Sequence, residues 1–114
     1  MRKRIESFKH AFRGIIDFII MGTNARIQLA SAVLIIVTGF ILDFTFTEWI
    51  AVTICIGFVL AAEAMNTALE ELANEVSQEK RERIRKAKDI AAGSVLIAAI
   101  TAFLVAIQIL VKRL

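Results

Sequence analysis

Three long apolar runs constrain the fold of this 114-residue chain more than any other feature. Residues 27–42, 50–62 and 90–111 are apolar apart from scattered small or polar side chains. Such runs suit helices that cross a hydrocarbon core of ~30 Å, with flanking residues completing the shorter ones. The hydrophobic fraction of 58% exceeds that of ordinary soluble proteins, and the absence of proline favours helix throughout. We therefore predict an all-α integral membrane protein. The predicted spans are about residues 26–43, 49–76 and 89–112.

The first 20 residues show a different pattern, in which apolar and charged residues alternate at helical spacing. The apolar side carries Ile5, Phe8, Phe12, Ile15, Ile16 and Ile19. The opposite side carries Arg2, Lys3, Glu6, Lys9, His10, Arg13 and Asp17. Basic residues opposite phenylalanines are typical of a helix that lies on an anionic membrane surface. Residues 1–20 are therefore predicted to form an amphipathic interfacial helix.

Basic residues are clustered along the chain, and their positions predict its topology. Six of the 14 lysines and arginines precede Ile27, and six more lie in residues 80–88. The turn at residues 43–48 carries none. Because positively charged flanks stay on the cytoplasmic side, we expect both clusters there and the turn outside, although Lys112 and Arg113 oppose this weakly. The distribution indicates a lipid bilayer as the partner, and no nucleic acid.

A stripe of polar residues begins where the second apolar run ends. Its members recur at spacings of three, four and four, and they are Glu63, Asn66, Glu70 and Asn74. They share one helix face within an arc of roughly 80° and over about 16 Å of rise, and we call them the polar stripe. An acid beside a long apolar run is costly unless it meets a cation, a metal or a partner, which favours a functional site. Hydrogen bonds that only hold helices together explain the pattern equally well.

The predicted topology brings the polar stripe close to Lys88 and Asp89, at the start of the third span. Carboxylates suit Mg²⁺, which binds through one or two of them plus substrate phosphates, and a lysine supplies a point charge for those phosphates. Glu63 lies nearest the apolar boundary, where it could act as a base for a lipid hydroxyl. Structural ion pairs use the same residue types, and the chain has no Walker motif or glycine-rich phosphate loop. Phosphate chemistry and a structural network both remain open on these grounds.

Three short stretches resemble one known family. Residues 62–70 read AEAMNTALE and residues 87–93 read AKDIAAG, which resemble the two signature stretches of the small prokaryotic diacylglycerol kinase and undecaprenol kinase family. Residues 7–14, SFKHAFRG, are similar to the undecaprenol kinase branch. The pattern E-x-x-N-T-A-x-E followed by K-D-x-A-A-G beside membrane spans is more specific than either part alone. The resemblance covers nearly the whole chain, and it implies that residues 1–114 form a single membrane-embedded lipid kinase domain.

The resemblance implies an activity, a location and an assembly. The implied activity is ATP-dependent phosphorylation of a lipid alcohol, with undecaprenol the first choice and diacylglycerol the second. The implied location is the cytoplasmic face of the bacterial inner membrane, which the chain crosses several times. The implied assembly is a homotrimer of three-span subunits with surface helices.

The resemblance also implies roles for individual residues. Carried over by position, Glu63 is the base that activates the lipid hydroxyl, and Glu70 binds the Mg²⁺ that bridges the nucleotide phosphates. Asn66 is expected to organise this centre. Lys88 and Asp89 are expected to contact the nucleotide. The residues of the first helix expected to close over ATP are Lys3, His10 and Arg13.

Two positions depart from the family pattern. Gly22 stands where the family usually has a glutamate, and Asn74 stands where it usually has an aspartate. Each change removes a carboxylate from the expected metal and nucleotide region, although Asn74 still offers a carbonyl ligand.

Two other hypotheses stay open. One is a small oligomeric transporter coupled to protons, whose coupling acid should lie near mid-bilayer. The other is a catalytically silent member of the family.

Overall fold

The computed structural model describes residues 2–77 and 79–114, and these form four helices. The helices are α1 (Arg2–Met21), α2 (Ala25–Leu42), α3 (Phe46–Val76) and α4 (Glu82–Arg113). The central helix is α3, which packs along α4 and also contacts α2 and α1. The described part of the chain contains no strand, so the predicted all-α architecture is confirmed.

Two of the helices begin earlier than the sequence pattern predicted. Helix α3 begins at Phe46 because Thr45 caps it: the Thr45 hydroxyl accepts a hydrogen bond from the Glu48 backbone N–H, and the Glu48 carboxylate accepts one from the Thr45 N–H. Helix α4 begins at Glu82, so the basic segment and the third apolar run form one continuous helix. Lys88 and Asp89 therefore lie on the same rigid element as the membrane span.

The three long helices expose large apolar side chains over most of their surface. Leu34 and Phe40 of α2 are 69% and 76% exposed, and Phe103 of α4 is 65% exposed. Helices α2, α3 and α4 are each long and apolar enough to cross a membrane. Few of the described side chains are buried within the chain itself. This surface suits an integral membrane protein, whose spans face lipid or neighbouring subunits.

The amphipathic helix α1 keeps its apolar side uncovered by the rest of the chain. Phe8 and Phe12 are 68% and 65% exposed, and only Phe18 and Ile19 near the end of the helix are half-buried. An uncovered apolar face opposite a basic one is the arrangement of a helix that lies on a membrane surface.

At the end of the bundle farthest from the polar stripe, Arg113 holds three helices together. Its guanidinium donates hydrogen bonds to the carbonyl oxygens of Leu42 at 2.6 Å and Asp43 at 3.0 Å, and it pairs with the Glu48 carboxylate. It also lies over the Phe44 ring, 5.2 Å from the centroid. These contacts satisfy carbonyl groups that the end of α2 leaves without helical partners. The predicted topology places this end of the bundle outside, where basic residues are disfavoured. Because the Arg113 charge is paired with Glu48, its presence here is compatible with that topology.

Trp49 forms the contact between α2 and α3 at the same end. Its ring packs at a tilt against Phe40 and edge-on against Phe44, with centroid separations of 5.0 and 5.5 Å. A Cβ atom added at Gly39 would lie 2.5 Å from the Trp49 ring, so only glycine allows this close approach.

Candidate active site

The polar stripe on α3 passes from the protein interior to the solvent-exposed surface. Glu63 is 3% exposed and is the one buried charged residue of the described chain. Asn66, the next member, is half-buried, and the last two members, Glu70 and Asn74, are exposed. Since the stripe rises about 16 Å along α3, its two ends occupy different environments. The inner end suits an apolar ligand and the outer end suits a water-soluble one.

Glu63 is buried without a cationic partner. Within the described residues no lysine or arginine pairs with it, and the side chain in interaction range of its carboxyl group is that of Gln28 from α2. Glu70, two turns along the same helix, is a nearby acid. A buried carboxylate without a cation carries a large desolvation cost. Such a group is available to exchange a proton with a bound ligand.

Asn66 carries a buried oxygen atom that has no hydrogen-bond partner among the described residues. Buried side-chain oxygens are bonded in the large majority of cases, so Asn66 Oδ1 is an acceptor left for another group. Glu70 lies one turn away on the same face and is exposed. An amide oxygen and a carboxylate are hard donors of the kind that Mg²⁺ binds, together with waters and substrate phosphates. The described residues contain no group of three or more histidine, cysteine, aspartate or glutamate side chains that could hold a metal ion.

Asn74 and Lys88 connect the outer end of the stripe to α4. The Lys88 ammonium donates a hydrogen bond of 2.7 Å to Asn74 Oδ1. The sequence offers the Asn74 carbonyl as a metal ligand, but in the structure this oxygen accepts the hydrogen bond from Lys88. Lys88 is half-buried, and it forms no ion pair with any residue in the ranges 2–77 and 79–114. A positioned cation therefore lies beside the polar stripe.

Asp89 pairs with Arg85, an arginine for which the sequence pattern predicts no individual role. Arg85 donates a hydrogen bond of 2.7 Å to Asp89, one turn further along α4, and it also pairs with Glu82. The spacing of four residues between Arg85 and Asp89 was the available sequence signal. All three side chains are more than half exposed, so these ion pairs orient Asp89 but contribute little stability.

The chain is similar to known proteins over nearly its whole length. The sequence model of prokaryotic diacylglycerol kinase matches residues 9–110. The chain belongs to the prokaryotic diacylglycerol kinase family. The undecaprenol kinase of Bacillus subtilis (strain 168) is 27% identical over 114 residues, which cover 100% of this chain and 93% of that protein. The diacylglycerol kinase of Synechocystis sp. is 35% identical over 102 residues, which cover 87% of this chain and 57% of that protein.

Family membership confirms the resemblance that the signature stretches indicated. The chain is an integral membrane lipid kinase, and a kinase of this family implies ATP as the phosphate donor. The first signature stretch lies on α3 and the second on α4. The hydrogen bond between Asn74, one turn after the first stretch, and Lys88, within the second, links the two helices.

The kinase has no space for a side chain at Gly22. The Gly22 N–H donates a hydrogen bond of 2.7 Å to the Phe18 carbonyl in the turn between α1 and α2. A Cβ atom at this position would lie 2.7 Å from the Phe18 carbonyl oxygen and 3.1 Å from the Ala25 Cβ atom. The turn is therefore built around glycine, and a glutamate here would require the turn to move.

The three basic residues predicted on α1 remain on its solvent-exposed surface. Lys3, His10 and Arg13 are all exposed. Within the described chain none of them makes a hydrogen bond or an ion pair with α3 or α4. A role in covering ATP therefore requires a bound nucleotide or a neighbouring subunit to bring them into contact with the site.

An apolar cavity of about 350 Å³ lies between α2, α3 and α4. Its walls are mainly small or aliphatic side chains, among them Ala32, Val59 and Ala102. Gln28 and Ser31 are its polar lining residues from α2, and Gln28 also lies in interaction range of Glu63. Gln28 therefore links the wall of the cavity to the buried Glu63, which is not itself a lining residue.

Proposed function

We propose that this kinase transfers the γ-phosphoryl group of ATP to the hydroxyl of a lipid alcohol at the cytoplasmic membrane face. Undecaprenol is the first candidate and diacylglycerol the second. The observation that carries this proposal is the burial gradient along the polar stripe, from Glu63 at 3% exposure to the exposed Glu70. It provides an apolar end for the lipid and an aqueous end for the nucleotide on one helix face.

The length of α3 supports this location of the site. The helix has 31 residues, so it is about 46 Å long and exceeds a hydrocarbon core of ~30 Å. With Phe46 at the outer surface, about 20 residues cross the core, which leaves Glu63 close to its inner boundary. A proton-coupled transporter would need its acid nearer mid-bilayer, so this position favours the kinase.

In the proposed reaction, Glu63 accepts the proton of the lipid hydroxyl. The lipid oxygen then forms a bond to the γ-phosphorus while the bond from that phosphorus to the bridging oxygen of ADP breaks, and ADP leaves. Lys88 binds phosphate oxygens, and Arg85 orients Asp89 toward the nucleotide. Positioning and charge stabilisation supply most of the rate enhancement in phosphoryl transfer, so these roles match what the reaction needs.

Mg²⁺ fits the donor set of the stripe. Glu70 would hold it with a carboxylate oxygen, and Asn66 would contribute the amide oxygen that has no partner within the described chain. When bound, the ion neutralises the charge of the phosphates. Asn66 lies between Glu63 and Glu70 on the stripe, which suits its predicted role in organising the centre.

The proposed substrate follows from the relatives. The relative named undecaprenol kinase aligns with the whole of this chain and with 93% of its own length, which favours undecaprenol over diacylglycerol. The cavity beside Gln28 is a suitable place for the first part of a lipid chain. Apolar surfaces discriminate poorly between long lipids, so this choice depends on the relatives more than on the cavity.

The proposed active unit is a homotrimer. Three spans from one chain leave most of their apolar surface uncovered, and they do not enclose a lipid hydroxyl and a nucleotide on all sides. Small residues permit close helix approach near the site. They are Ala61, Ala62, Ala68, Ala91, Ala92, Gly93 and Ser94. A neighbouring subunit would also bring a second α1, with its Lys3, His10 and Arg13, to the nucleotide.

A catalytically silent member of the family is the second candidate. Gly22 has no room for the carboxylate that the family pattern usually places there, and the Asn74 carbonyl is occupied by Lys88. Both observations reduce the metal-binding charge of the site.

The experiment that tests the proposal is a phosphotransfer assay on the full chain in lipid nanodiscs. Labelled phosphate from ATP is followed into undecaprenol and into diacylglycerol, side by side, with and without Mg²⁺. The proposal predicts Mg²⁺-dependent transfer to undecaprenol above transfer to diacylglycerol, and its loss in Glu63→Gln. Absence of transfer to either lipid, from a folded protein that still binds ATP, would favour the silent member.

A further inference from the structure

One side-chain hydrogen bond joins α3 to α4 at the end that carries the polar stripe, among the residues the structure describes. It runs from the Lys88 ammonium to Asn74 Oδ1 over 2.7 Å. The acceptor is a neutral amide, so it fixes the direction of the ammonium without cancelling its charge. Within residues 2–77 and 79–114 no carboxylate pairs with Lys88, whereas the neighbouring Arg85 is paired with both Glu82 and Asp89.

We infer that Asn74 is a positioning residue that holds Lys88 ready for the nucleotide phosphates as an uncompensated positive charge. This inference rests on the proposed function, because it takes Lys88 to be the phosphate-binding cation. An ammonium group donates three hydrogen bonds, and Asn74 accepts one of them, which leaves two for phosphate oxygens. Holding the flexible lysine side chain before the nucleotide arrives reduces the entropy lost on binding.

The amide at position 74 matters because an aspartate would accept the same hydrogen bond with a negative charge. That charge would pair with Lys88 and weaken its attraction for phosphate. Neither Gly22 nor Asn74 supplies the carboxylate of the family pattern, so the site has less negative charge to hold a metal than that pattern provides. It therefore depends more on direct phosphate binding by Lys88. Asn74 is therefore assigned to act through Lys88, and not as a ligand of Mg²⁺.

The test compares Asn74→Asp and Asn74→Ala with the unmodified full chain in nanodiscs. The measurements are the KM for ATP, kcat, and the Kd of a non-hydrolysable ATP analogue with and without Mg²⁺. Asn74→Asp should raise both KM and Kd by about fivefold, the upper range for an exposed ion pair, with kcat nearly unchanged. The increase should persist without Mg²⁺ and shrink as salt is added. Asn74→Ala, which keeps the Lys88 charge but loses its orientation, should raise Kd by about twofold.

The matched control is Asn24→Asp, the same chemical change at the exposed N-cap of α2, where the side chain makes no capping hydrogen bond. It should leave the Kd of the analogue unchanged. An equal rise in Asn24→Asp would indicate a general charge effect and overturn the inference. Unchanged or tighter binding of the analogue by Asn74→Asp would also overturn the inference. A lower Mg²⁺ requirement in this variant would do the same, because a metal ligand at position 74 would have that effect.

The outcomes separate this inference from the proposed function. If the unmodified chain binds the analogue but phosphorylates neither lipid, the proposed function fails, and the analogue affinities alone decide the role of Asn74. If phosphotransfer occurs and Asn74→Asp binds ATP normally, the function stands and the inference fails. Thermal unfolding of each variant verifies folding. Should Asn74→Asp not fold, an unchanged Kd in Asn74→Ala would overturn the inference and a raised one would support it.

Discussion

The Arg113 guanidinium of α4 pairs with the Glu48 carboxylate of α3 across the end of the bundle opposite to the polar stripe. Both side chains are largely shielded from solvent, at 27% and 13% exposure. The same arginine caps the last carbonyl groups of α2 through Leu42 and Asp43. One residue near the end of the chain thus fixes the relative positions of three helices.

Arg113→Met should lower the midpoint of thermal unfolding by a few degrees in detergent, because it leaves Glu48 without its cation and frees the carbonyl groups of α2. The matched control is Lys112→Met, which removes a neighbouring exposed charge. Glu48→Gln should also lower the midpoint, and the double variant should lose less than the sum of the two single losses. Additive losses would show that the two residues act independently.

Gly22→Ala should destabilise the kinase, because its Cβ atom would lie 2.7 Å from the Phe18 carbonyl oxygen. Overpacking of this kind costs on the order of 1–3 kcal/mol. Gly22→Glu should be destabilised at least as much and should not tighten Mg²⁺ binding. Gly14→Ala is the matched control, since a Cβ atom there meets nothing within 4 Å, and it should stabilise α1 slightly. Tighter Mg²⁺ binding by Gly22→Glu would show that the turn adapts to a side chain.

Helix α1 should lie on the cytoplasmic leaflet. In a Cys55→Ala background, cysteines placed at Lys9 and Arg13 should react with a membrane-impermeant thiol reagent from the cytoplasmic side. A cysteine in place of Phe12, on the apolar face, should react more slowly because it faces lipid. Reaction of the first two only from outside would overturn the topology and the location of the site with it.

Chemical cross-linking in native membranes should yield dimers and trimers of the kinase. The physical reason is the large uncovered apolar surface of α2 to α4. Activity measured in nanodiscs that each contain a single chain provides the decisive comparison. Full activity from such a preparation would contradict the proposed trimer.

The sequence predicted the helical architecture well, because long apolar runs leave few alternatives in a membrane. It located α3 but not its start at Phe46, since the capping box of Thr45 and Glu48 lies in a turn that apolar periodicity does not reveal. It placed Lys88 and Asp89 near the stripe, and the structure brings Lys88 to Asn74. The bond could not be predicted, since it depends on the angle and register between α3 and α4.

Other features of the molecule depend on which side chains meet in three dimensions, and a pattern of residue types alone does not fix those contacts. Gly22 looked like the simple loss of a carboxylate, whereas the structure gives it a steric reason in the turn. Arg85 looked like one member of a basic cluster, but its spacing from Asp89 lets the two pair. The sequence makes Arg113 a weak exception to the charge rule, whereas the structure pairs it with Glu48.

The most direct test of the account separates the two glutamates of the polar stripe by role. They lie two turns apart on α3, about 10 Å along the axis, with Glu63 buried and Glu70 exposed. Glu63→Gln keeps the size of the side chain but removes the base, and Glu70→Gln removes the proposed ligand of Mg²⁺. The measurement is kcat for lipid phosphorylation together with the Kd of the non-hydrolysable ATP analogue over a range of Mg²⁺ concentrations.

Glu63→Gln should cut kcat by roughly 10²- to 10⁴-fold, typical of the loss of a general base, while binding of the Mg²⁺-nucleotide stays nearly intact. Glu70→Gln should instead weaken that binding, and added Mg²⁺ should restore part of its activity. Full turnover by Glu63→Gln, or an equal loss of nucleotide binding in both variants, would contradict the assignment of a buried base and an exposed metal ligand.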